Sequence, residues 1–161
     1  MNAPRLATLG IFTRADLVLL GEKKTGEIGK GLFNGPGGKC EYQESPEACL
    51  IRESWEELRL RILAGMLRHV AVLHCYAGGR KMQIVHVYRA ELTEQYPEET
   101  EDMRPGWFPV CGLPYDRMHE GDKDWFEKVL IGKRFTAHIH YERPGEGLIG
   151  IAFRRYQRPH A

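Results

Sequence analysis

Residues 38–60 read GKCEYQESPEACLIRESWEELRL, and this stretch decides the architecture and the chemistry that we expect. Ser45 followed by Pro46 predicts a helix start, because serine is a good N-cap and proline suits the first helical position. At 3.6 residues per turn, the helix that follows separates into two faces. The predicted apolar face consists of Ala48, Ile51, Trp55 and Leu58, and the predicted acidic face of Glu53, Glu56 and Glu57.

The acidic face has two interpretations. Carboxylates three and four residues apart repel one another by a few tenths of a kcal/mol per pair, about 0.2–0.5, and Arg52 offsets only part of this repulsion. Hard divalent cations prefer carboxylate oxygens, and Mg²⁺ bridges such oxygens to substrate phosphates. The cluster therefore indicates either a metal site or the solvated face of an amphipathic helix.

The spacing of the whole stretch resembles the Nudix box, the signature of the Nudix hydrolase family. Six of its seven polar or glycine positions match, namely Gly38, Glu44, Arg52, Glu53, Glu56 and Glu57. Ser54 stands where the family has an aliphatic residue, and we expect its hydroxyl to find a backbone partner or to face water. Arg59 stands where the family has a helix-ending glycine, and a left-handed arginine there costs about 1 kcal/mol.

Composition narrows the class of protein. The chain has 161 residues, of which 42% are hydrophobic and 28% charged, as expected for one globular domain spanning residues 1–161. A net charge of +1 argues against a general binder of nucleic-acid polymers. The sequence has no long apolar run and no signal peptide, which predicts a cytoplasmic protein without a membrane span. The four cysteines lack zinc-ligand spacing and predict reduced thiols; they are Cys40, Cys49, Cys75 and Cys111.

The remaining sequence predicts a mixed α/β single domain. The expected elements are strands at 6–12 and 16–20, an extended segment at 32–34, strands at 65–76 and 82–90 around a turn at 77–80, a short apolar element at 107–110, a helix at 122–131, and a hairpin of 135–141 and 148–156. The resemblance implies the Nudix fold, an α/β/α sandwich around a mixed sheet, with which this order is compatible.

Segments outside the box resemble the MutT-homologue branch, whose members hydrolyse oxidised purine nucleoside triphosphates. The similar segments include RLATLGIF, FNGPGGK and DMRPGWF. The resemblance implies cleavage of a substrate such as 8-oxo-dGTP between the α- and β-phosphates, giving the monophosphate and pyrophosphate. It also implies Mg²⁺, with Mn²⁺ as a substitute, and no obligate protein partner.

The resemblance further assigns roles within the box. The implied metal ligands are Glu53, Glu56 and Glu57, the Gly38 carbonyl and the loop residue Asp102, which is otherwise a solvated acid. Arg52 and Glu44 would orient the other groups. Either Glu53 or Glu56 would take the proton of the attacking water.

Base recognition is implied for Thr8, Leu9, Lys23, Phe33, Asn34, Met82, Met103, His119 and Asp122. Three of these have simpler interpretations: Asn34 as a turn residue, Asp122 as a helix N-cap and Lys23 as a solvated charge. Met82 and Phe33 are also typical core residues. His119 and Gly121 stand where the branch has a stacking tryptophan and the first of two aspartates.

Three functions are open, and the two departures motivate the second of them. The first is hydrolysis of oxidised purine nucleotides, the second is hydrolysis of nucleoside di- and triphosphates with little regard for base oxidation, and the third is non-catalytic nucleotide binding by a regulator. Separately, His138 and His140 alternate in a predicted strand, so we expect both on one polar sheet face rather than as a metal pair.

Overall fold

The computed structural model describes residues 2–26 and 28–158, which form an eight-stranded mixed sheet with a helix on each face. In chain order the elements are β1 (Arg5–Arg14), β2 (Leu17–Lys23), β3 (Phe33–Asn34), α1 (Pro46–Leu58), β4 (Arg68–Ala77), β5 (Arg80–Glu91), β6 (Met103–Pro109), α2 (Asp122–Leu130), β7 (Phe135–Arg143) and β8 (Glu146–Arg155). Short 3₁₀ turns lie at Ala64–Met66 and Tyr115–Arg117. The element order predicted from the sequence is confirmed.

The strand order is β3-β2-β1-β5-β4-β7-β8, with β6 also paired to β2. The β1–β5 and β4–β7 pairs are parallel and the other pairs are antiparallel. The turn at 78–79 connects β4 to β5, as the sequence predicts. Within the described residues, no helix combines the length and apolar character that a membrane crossing requires.

Two apolar clusters hold the helices on opposite faces of the sheet. Neighbouring residues of β1 show the division, because successive side chains of a strand point to opposite faces. Phe12 packs with Leu50 of α1, whereas Ile11 belongs to the cluster that contains Phe126 of α2. The predicted α/β/α sandwich is therefore confirmed.

Both ends of α1 have the capping geometry that the sequence indicates. The Ser45 side chain accepts a hydrogen bond from the Ala48 backbone N–H at 3.1 Å. Arg59 ends the helix in the left-handed conformation, with φ 56° and ψ 29°, and its N–H donates to the Trp55 carbonyl at 2.9 Å. The box thus keeps its helix-ending geometry without the glycine.

The predicted apolar face of α1 is wrong in part. Ala48 is exposed and Trp55 is 40% exposed, whereas the buried side chains are Cys49, Leu50, Ser54 and Leu58. The helix is rotated by about one residue relative to the prediction. Trp55 still loses water contact, because the guanidinium groups of Arg59 and Arg61 lie 5.3 and 4.6 Å from its ring.

Candidate active site

Arg52 joins three carboxylates on the exposed side of α1. It binds Glu44 through two parallel hydrogen bonds, Nε–Oε1 at 2.8 Å and Nη2–Oε2 at 2.9 Å. Its Nη1 atom donates to Glu53 at 3.0 Å and to Glu56 at 3.1 Å. The hydrogen bonds from Arg52 hold the pKa of Glu44 down at about 2, and those of Glu44 raise the pKa of Arg52 in return. The predicted orienting pair is therefore present as a fixed ion pair.

Glu57 lies deeper than the other box acids. Its Oε2 atom accepts a hydrogen bond from the Gly37 backbone N–H at 3.0 Å. Burial raises the pKa of Glu57 to about 8, and the nearby charges of Glu53 and Asp102 push it the same way. Burial also raises the pKa of Glu53. These residues fit a divalent cation, which would replace the protons that burial otherwise favours.

Gly38 allows the loop to approach the helix. A Cβ atom at this position would lie 2.5 Å from Oε1 of Glu53, so a side chain would displace that carboxylate. The Gly38 carbonyl accepts hydrogen bonds from the Thr8 N–H at 2.8 Å and from the Cys49 thiol at 3.6 Å. The structure thus places Gly38 beside the acids, while its carbonyl, a predicted metal ligand, already bonds to β1 and α1.

Asp102 reaches the box from the loop before β6. An open cleft of about 660 Å³ is lined by Glu56, Arg59 and Asp102, together with Lys24, Glu98, Glu99, Thr100 and Glu101. Asp102 Oδ1 accepts a hydrogen bond from Thr25 Oγ1 at 3.1 Å. The fold therefore brings this acid next to Glu56 and Glu57, in a position compatible with the predicted metal ligand.

Ser54 overturns a prediction. Its side chain is fully buried, and its Oγ atom has no hydrogen-bond partner among the described residues. The hydroxyl therefore neither binds the backbone nor faces water, because the rotation of α1 places residue 54 on the packed face between Leu50 and Leu58. The departure from the aliphatic residue of the box leaves an unsatisfied polar atom in the core.

Lys23 connects the acidic helix to the predicted base-binding residues. Its Nζ atom donates to the Ile28 carbonyl at 3.1 Å. Burial lowers the pKa of His119 and the charge of Lys23 adds to this effect, whereas at Glu57 the same charge opposes the rise in pKa that burial causes. The ring of His119 packs against the backbone of the 23–33 connection, where a Cβ atom on Gly29 would lie 3.0 Å from its Nε2 atom. Lys23 therefore lies between the acidic helix and His119, and its role in base binding stays a prediction.

The structure brings together some, but not all, of the predicted base-binding residues of β1 and β3. Leu9 and Phe33 belong to the same apolar cluster, and the Phe33 ring meets Phe108 edge-on at 5.1 Å. Asn34 Oδ1 accepts a hydrogen bond from the Gly35 N–H at 2.9 Å, which is the turn-forming role. Thr8 faces away from Leu9, and its hydroxyl donates to Cys49 Sγ at 3.5 Å.

The two predicted methionines do not meet. Met103 is 2% exposed and packs in the cluster beneath α1, so tightly that a Cβ atom on Gly21 would lie 2.1 Å from its sulfur. Met82 is 41% exposed and lies at the irregularity in the β4–β5 pairing. In this structure Met103 is a core residue and Met82 a surface residue.

The interpretation of Asp122 as a helix N-cap is wrong. The N-cap of α2 is Gly121, with φ 87°, and Asp122 is the first helical residue. Only 5% of Asp122 is exposed; its Oδ1 atom accepts a hydrogen bond from Trp125 Nε1 at 3.2 Å, and its Oδ2 atom has no partner among the described residues. Burial raises the pKa of Asp122 to about 7.

Sequence reasoning missed Glu120, which ties this loop to the last hairpin. The Tyr141 hydroxyl donates to the Glu120 carbonyl at 2.8 Å, and the Leu148 N–H donates to its Oε2 atom at 2.9 Å. A Cβ atom on Gly121 would lie 3.0 Å from Ile151, so the hairpin also leaves little room for a side chain there. These contacts link residues more than twenty positions apart, and no local pattern announces them.

The histidines of β7 lie as predicted on one face. His138 stacks on His74 with 4.8 Å between ring centroids, and His140 stacks on Tyr76 at 4.4 Å. The Tyr76 hydroxyl lies 3.0 Å from Nδ1 of His138. This aromatic group is separate from the acids of α1.

Comparison with known proteins agrees with this geometry. A family model for the NUDIX domain matches residues 3–129. The oxidized purine nucleoside triphosphate hydrolase of Danio rerio is 34% identical over 143 residues, covering 88% of this chain and 90% of the relative, and the Mus musculus protein of that name is 33% identical with the same coverage. The crystal structure of the mMutator MutT protein from Bacillus halodurans has a TM-score of 0.71 at 23% identity, covering 92% of this chain and 97% of that one, which shows a shared fold.

Proposed function

The chain belongs to the NUDIX family, and from that premise we propose that it hydrolyses oxidised purine nucleoside triphosphates, such as 8-oxo-dGTP, to the monophosphate and pyrophosphate. The reaction type is carried by one observation: Arg52 binds Glu53 and Glu56, and the adjoining loop, which has no room for a side chain at Gly38, donates the Gly37 N–H to Glu57. The substrate class is supported by the names of the two vertebrate relatives.

We propose Mg²⁺ as the cation, with Mn²⁺ as a substitute. When bound, it would neutralise phosphate charge and make water a better nucleophile. Glu53, Glu56, Glu57 and Asp102 would hold it, and the Gly38 carbonyl would do so only while sharing its oxygen with the Thr8 N–H. Hard oxygen ligands suit this ion.

The protein's own groups have separate tasks. Arg52 and Glu44 fix the orientation of Glu53 and Glu56 through the hydrogen bonds described above. Glu56 has a side chain that is 51% exposed, which leaves it open to a water, while that of Glu53 is 16% exposed. Both stay candidates for the general base, and Glu56 has the easier approach from solvent.

The base would lie on the α2 side of the sheet. Leu9 and Phe33 offer apolar contact there, and Asn34 and Lys23 offer polar contact. Asp122 with a pKa near 7 can donate or accept a hydrogen bond at a base edge. We assign no direct base contact to Thr8, Met82 or Met103 on this geometry.

The test is a substrate screen with Mg²⁺. We expect kcat/KM for 8-oxo-dGTP to exceed that for dGTP by about tenfold or more, a difference of about 1.4 kcal/mol. Similar values for the two nucleotides would instead favour a broad nucleoside di- and triphosphate hydrolase. Gly121 supports that second candidate, because it has no side chain to hydrogen-bond a base where the branch has an aspartate.

A non-catalytic regulator is the alternative from another class. It predicts nucleotide binding without pyrophosphate release, and the presence of every box acid argues against it. We further propose that residues 1–161 act as one cytoplasmic domain that needs no obligate protein partner and binds neither a membrane nor a nucleic-acid polymer. A purified chain that hydrolyses nucleotide only after addition of a second protein would contradict this.

A further inference from the structure

We propose that Cys40, Cys49 and Glu44 form a second metal site, which takes a thiophilic divalent cation such as Zn²⁺ or Cd²⁺. The two sulfur atoms and a carboxylate oxygen all lie within 4.8 Å of one another. Both thiols are free. The sequence predicted four ordinary reduced thiols, because no two cysteines have zinc-ligand spacing along the chain.

The fold gathers these three residues from a loop and a helix. The Cys40 N–H donates to the Leu6 carbonyl of β1 at 2.9 Å, which fixes the start of the loop. Cys49 lies in the first turn of α1, where its N–H donates to the Ser45 carbonyl at 2.9 Å. The Glu41 N–H donates to Glu44 at 2.8 Å, so the connecting loop presents its carboxylate to the sulfurs.

The donor set selects the kind of cation. Two sulfurs and one carboxylate oxygen suit Zn²⁺ or Cd²⁺ and not Mg²⁺, which takes oxygen ligands. A tetrahedral zinc ion, with bonds of about 2.0–2.3 Å, separates its ligand atoms by roughly 3.5–3.8 Å. A contraction of about 1 Å therefore completes the three-ligand set. The half-buried Cys40 provides the entry side, and water would fill the fourth position.

Burial raises the pKa of the Cys49 thiol, and two neighbouring groups can offset this cost once Cys49 becomes a thiolate. Thr8 Oγ1 already donates to Cys49 Sγ at 3.5 Å, and Arg52 Nη2 lies 3.7 Å from the same sulfur. When the cation binds, each thiol releases its proton to solvent and the two sulfurs become ligands. A hydroxyl donor and a guanidinium then face the new negative charge.

Occupancy of this site would affect the acidic helix. Both oxygens of Glu44 now bind Arg52, so the cation must take one of them. Arg52 also donates hydrogen bonds to Glu53 and Glu56. Loss of one hydrogen bond to Glu44 would allow its guanidinium group to move. This coupling to hydrolysis rests on the proposed function, whereas the metal site itself does not.

The first experiment measures binding alone. The metal-free protein, without nucleotide or Mg²⁺, is titrated with Co²⁺ and with Cd²⁺ while thiolate-to-metal absorption is recorded and reactive thiols are counted. We expect one thiolate-bound ion per chain, counted by the thiolate band and separate from any ion on the acidic face of α1, a tetrahedral cobalt spectrum, and protection of the half-buried Cys40 from a thiol reagent. Absence of a thiolate band, or protection of no thiols, would overturn the proposal.

Variants locate the site. Cys40→Ser and Cys49→Ser each remove one sulfur and should weaken Cd²⁺ binding by about 100-fold or more. Cys111→Ser removes an exposed thiol elsewhere and should bind as the parent does. Thermal melts establish that each variant is folded. Unchanged affinity in folded Cys40→Ser and Cys49→Ser would exclude these ligands.

The second experiment tests the coupling. Zn²⁺ is added to enzyme saturated with Mg²⁺, and each variant's activity is expressed relative to its own rate without Zn²⁺. We expect the parent and Cys111→Ser to lose at least about tenfold in rate, at zinc concentrations that leave Cys40→Ser unaffected. Equal inhibition of all three would assign the effect to the acidic site. A parent without any hydrolysis would reject the proposed function and leave the cobalt result readable.

Discussion

Two carboxyl groups, one on each helix, have a pKa raised chiefly by burial and differ in what surrounds them. Burial raises the pKa of Glu57 on α1 to about 8 and that of Asp122 on α2 to about 7. Glu57 has Glu53 and Asp102 nearby and lies next to an open, acid-lined cleft. Asp122 accepts a hydrogen bond from Trp125, which belongs to the apolar cluster that packs α2 on the sheet.

The difference shows how neighbours decide the use of a buried acid. Clustered acids beside solvent are stabilised together by one divalent cation, because it neutralises several charges at once. A single acid enclosed by apolar groups is stabilised by a proton. These surroundings support the proposed roles, metal binding for Glu57 and a hydrogen bond to a nucleobase for Asp122.

The largest expected effect comes from a substitution of Glu57, the acid that we propose binds metal. Glu57→Gln removes a predicted metal ligand, and we expect kcat/KM to fall by at least about 100-fold, because metal ligation supplies several kcal/mol. Pyrophosphate release with Mg²⁺ measures the loss. Glu94→Gln, at an exposed acid outside the site, is the matched control. Comparable rates in the two variants would remove Glu57 from the site.

A smaller effect is expected on the other helix. Asp122→Asn keeps the size of the side chain and gives a group that stays neutral at every pH. We expect KM for 8-oxo-dGTP to rise by roughly tenfold with kcat nearly unchanged, because the lost interaction contributes to binding in both ground and transition states. The parent's kcat/KM should vary around pH 7 and the variant's should not. A fall in kcat alone would contradict the assignment.

The pH dependence of the unfolding free energy gives a further test of Glu57 and Asp122. For both acids the folded pKa lies above the unfolded value, so the stability they contribute at low pH is lost as pH rises through the folded pKa. His69, with its pKa lowered to about 4 from 6.5, acts in the opposite direction, but only below about pH 6.5. We therefore expect metal-free protein to lose about 1–2 kcal/mol of unfolding free energy between pH 6.5 and 8.

Urea denaturation with a chelator present measures this slope. Glu57→Gln should flatten it over the upper part of the range, because an amide does not titrate. Saturating Mg²⁺ should also flatten it in the parent. A parent slope of zero without metal would mean that burial does not favour the protonated Glu57.

The smallest effect concerns a buried polar group that has neither cation nor hydrogen bond. Ser54→Ala removes the unpaired hydroxyl and should stabilise the protein by up to about 1 kcal/mol. Ser45→Ala removes the helix N-cap and should destabilise it by about 1 kcal/mol. Thermal unfolding of both variants measures these two opposite changes in stability. A destabilised Ser54→Ala would indicate that the hydroxyl does find a partner.

Features that depend on neighbours close in the sequence were easier to predict than features that depend on contacts with distant parts of the chain. The helix cap at Ser45, the left-handed Arg59 and the converging glutamates depend on neighbours within a few residues, and all are present. The buried side of α1 depends on contacts with the sheet, so the size of Trp55 misled the prediction. The proposed cysteine site was not predicted from the sequence, because its three residues come together only when the loop and helix fold.

The base side was harder to predict than the acidic helix. Asn34 and Asp122 each had two interpretations, and the structure shows the turn-forming bond for the first and excludes the cap for the second. Thr8 and Leu9 are consecutive, yet β1 points them to opposite faces. Sequence adjacency is therefore a poor guide to which residues line one pocket in a strand.

If the 119–122 loop contacts the base as proposed, the last hairpin gives the protein a separate means of changing its substrate. It lies beyond residue 129, where the family match ends, and it holds the 119–122 loop through Leu148 and Tyr141. Mutations in β7 and β8 can therefore reshape the base side while leaving the acids of α1 untouched. Selectivity and reaction chemistry can evolve at different rates in this fold, and a library confined to β7 and β8 is the natural starting point for altering the preferred nucleobase.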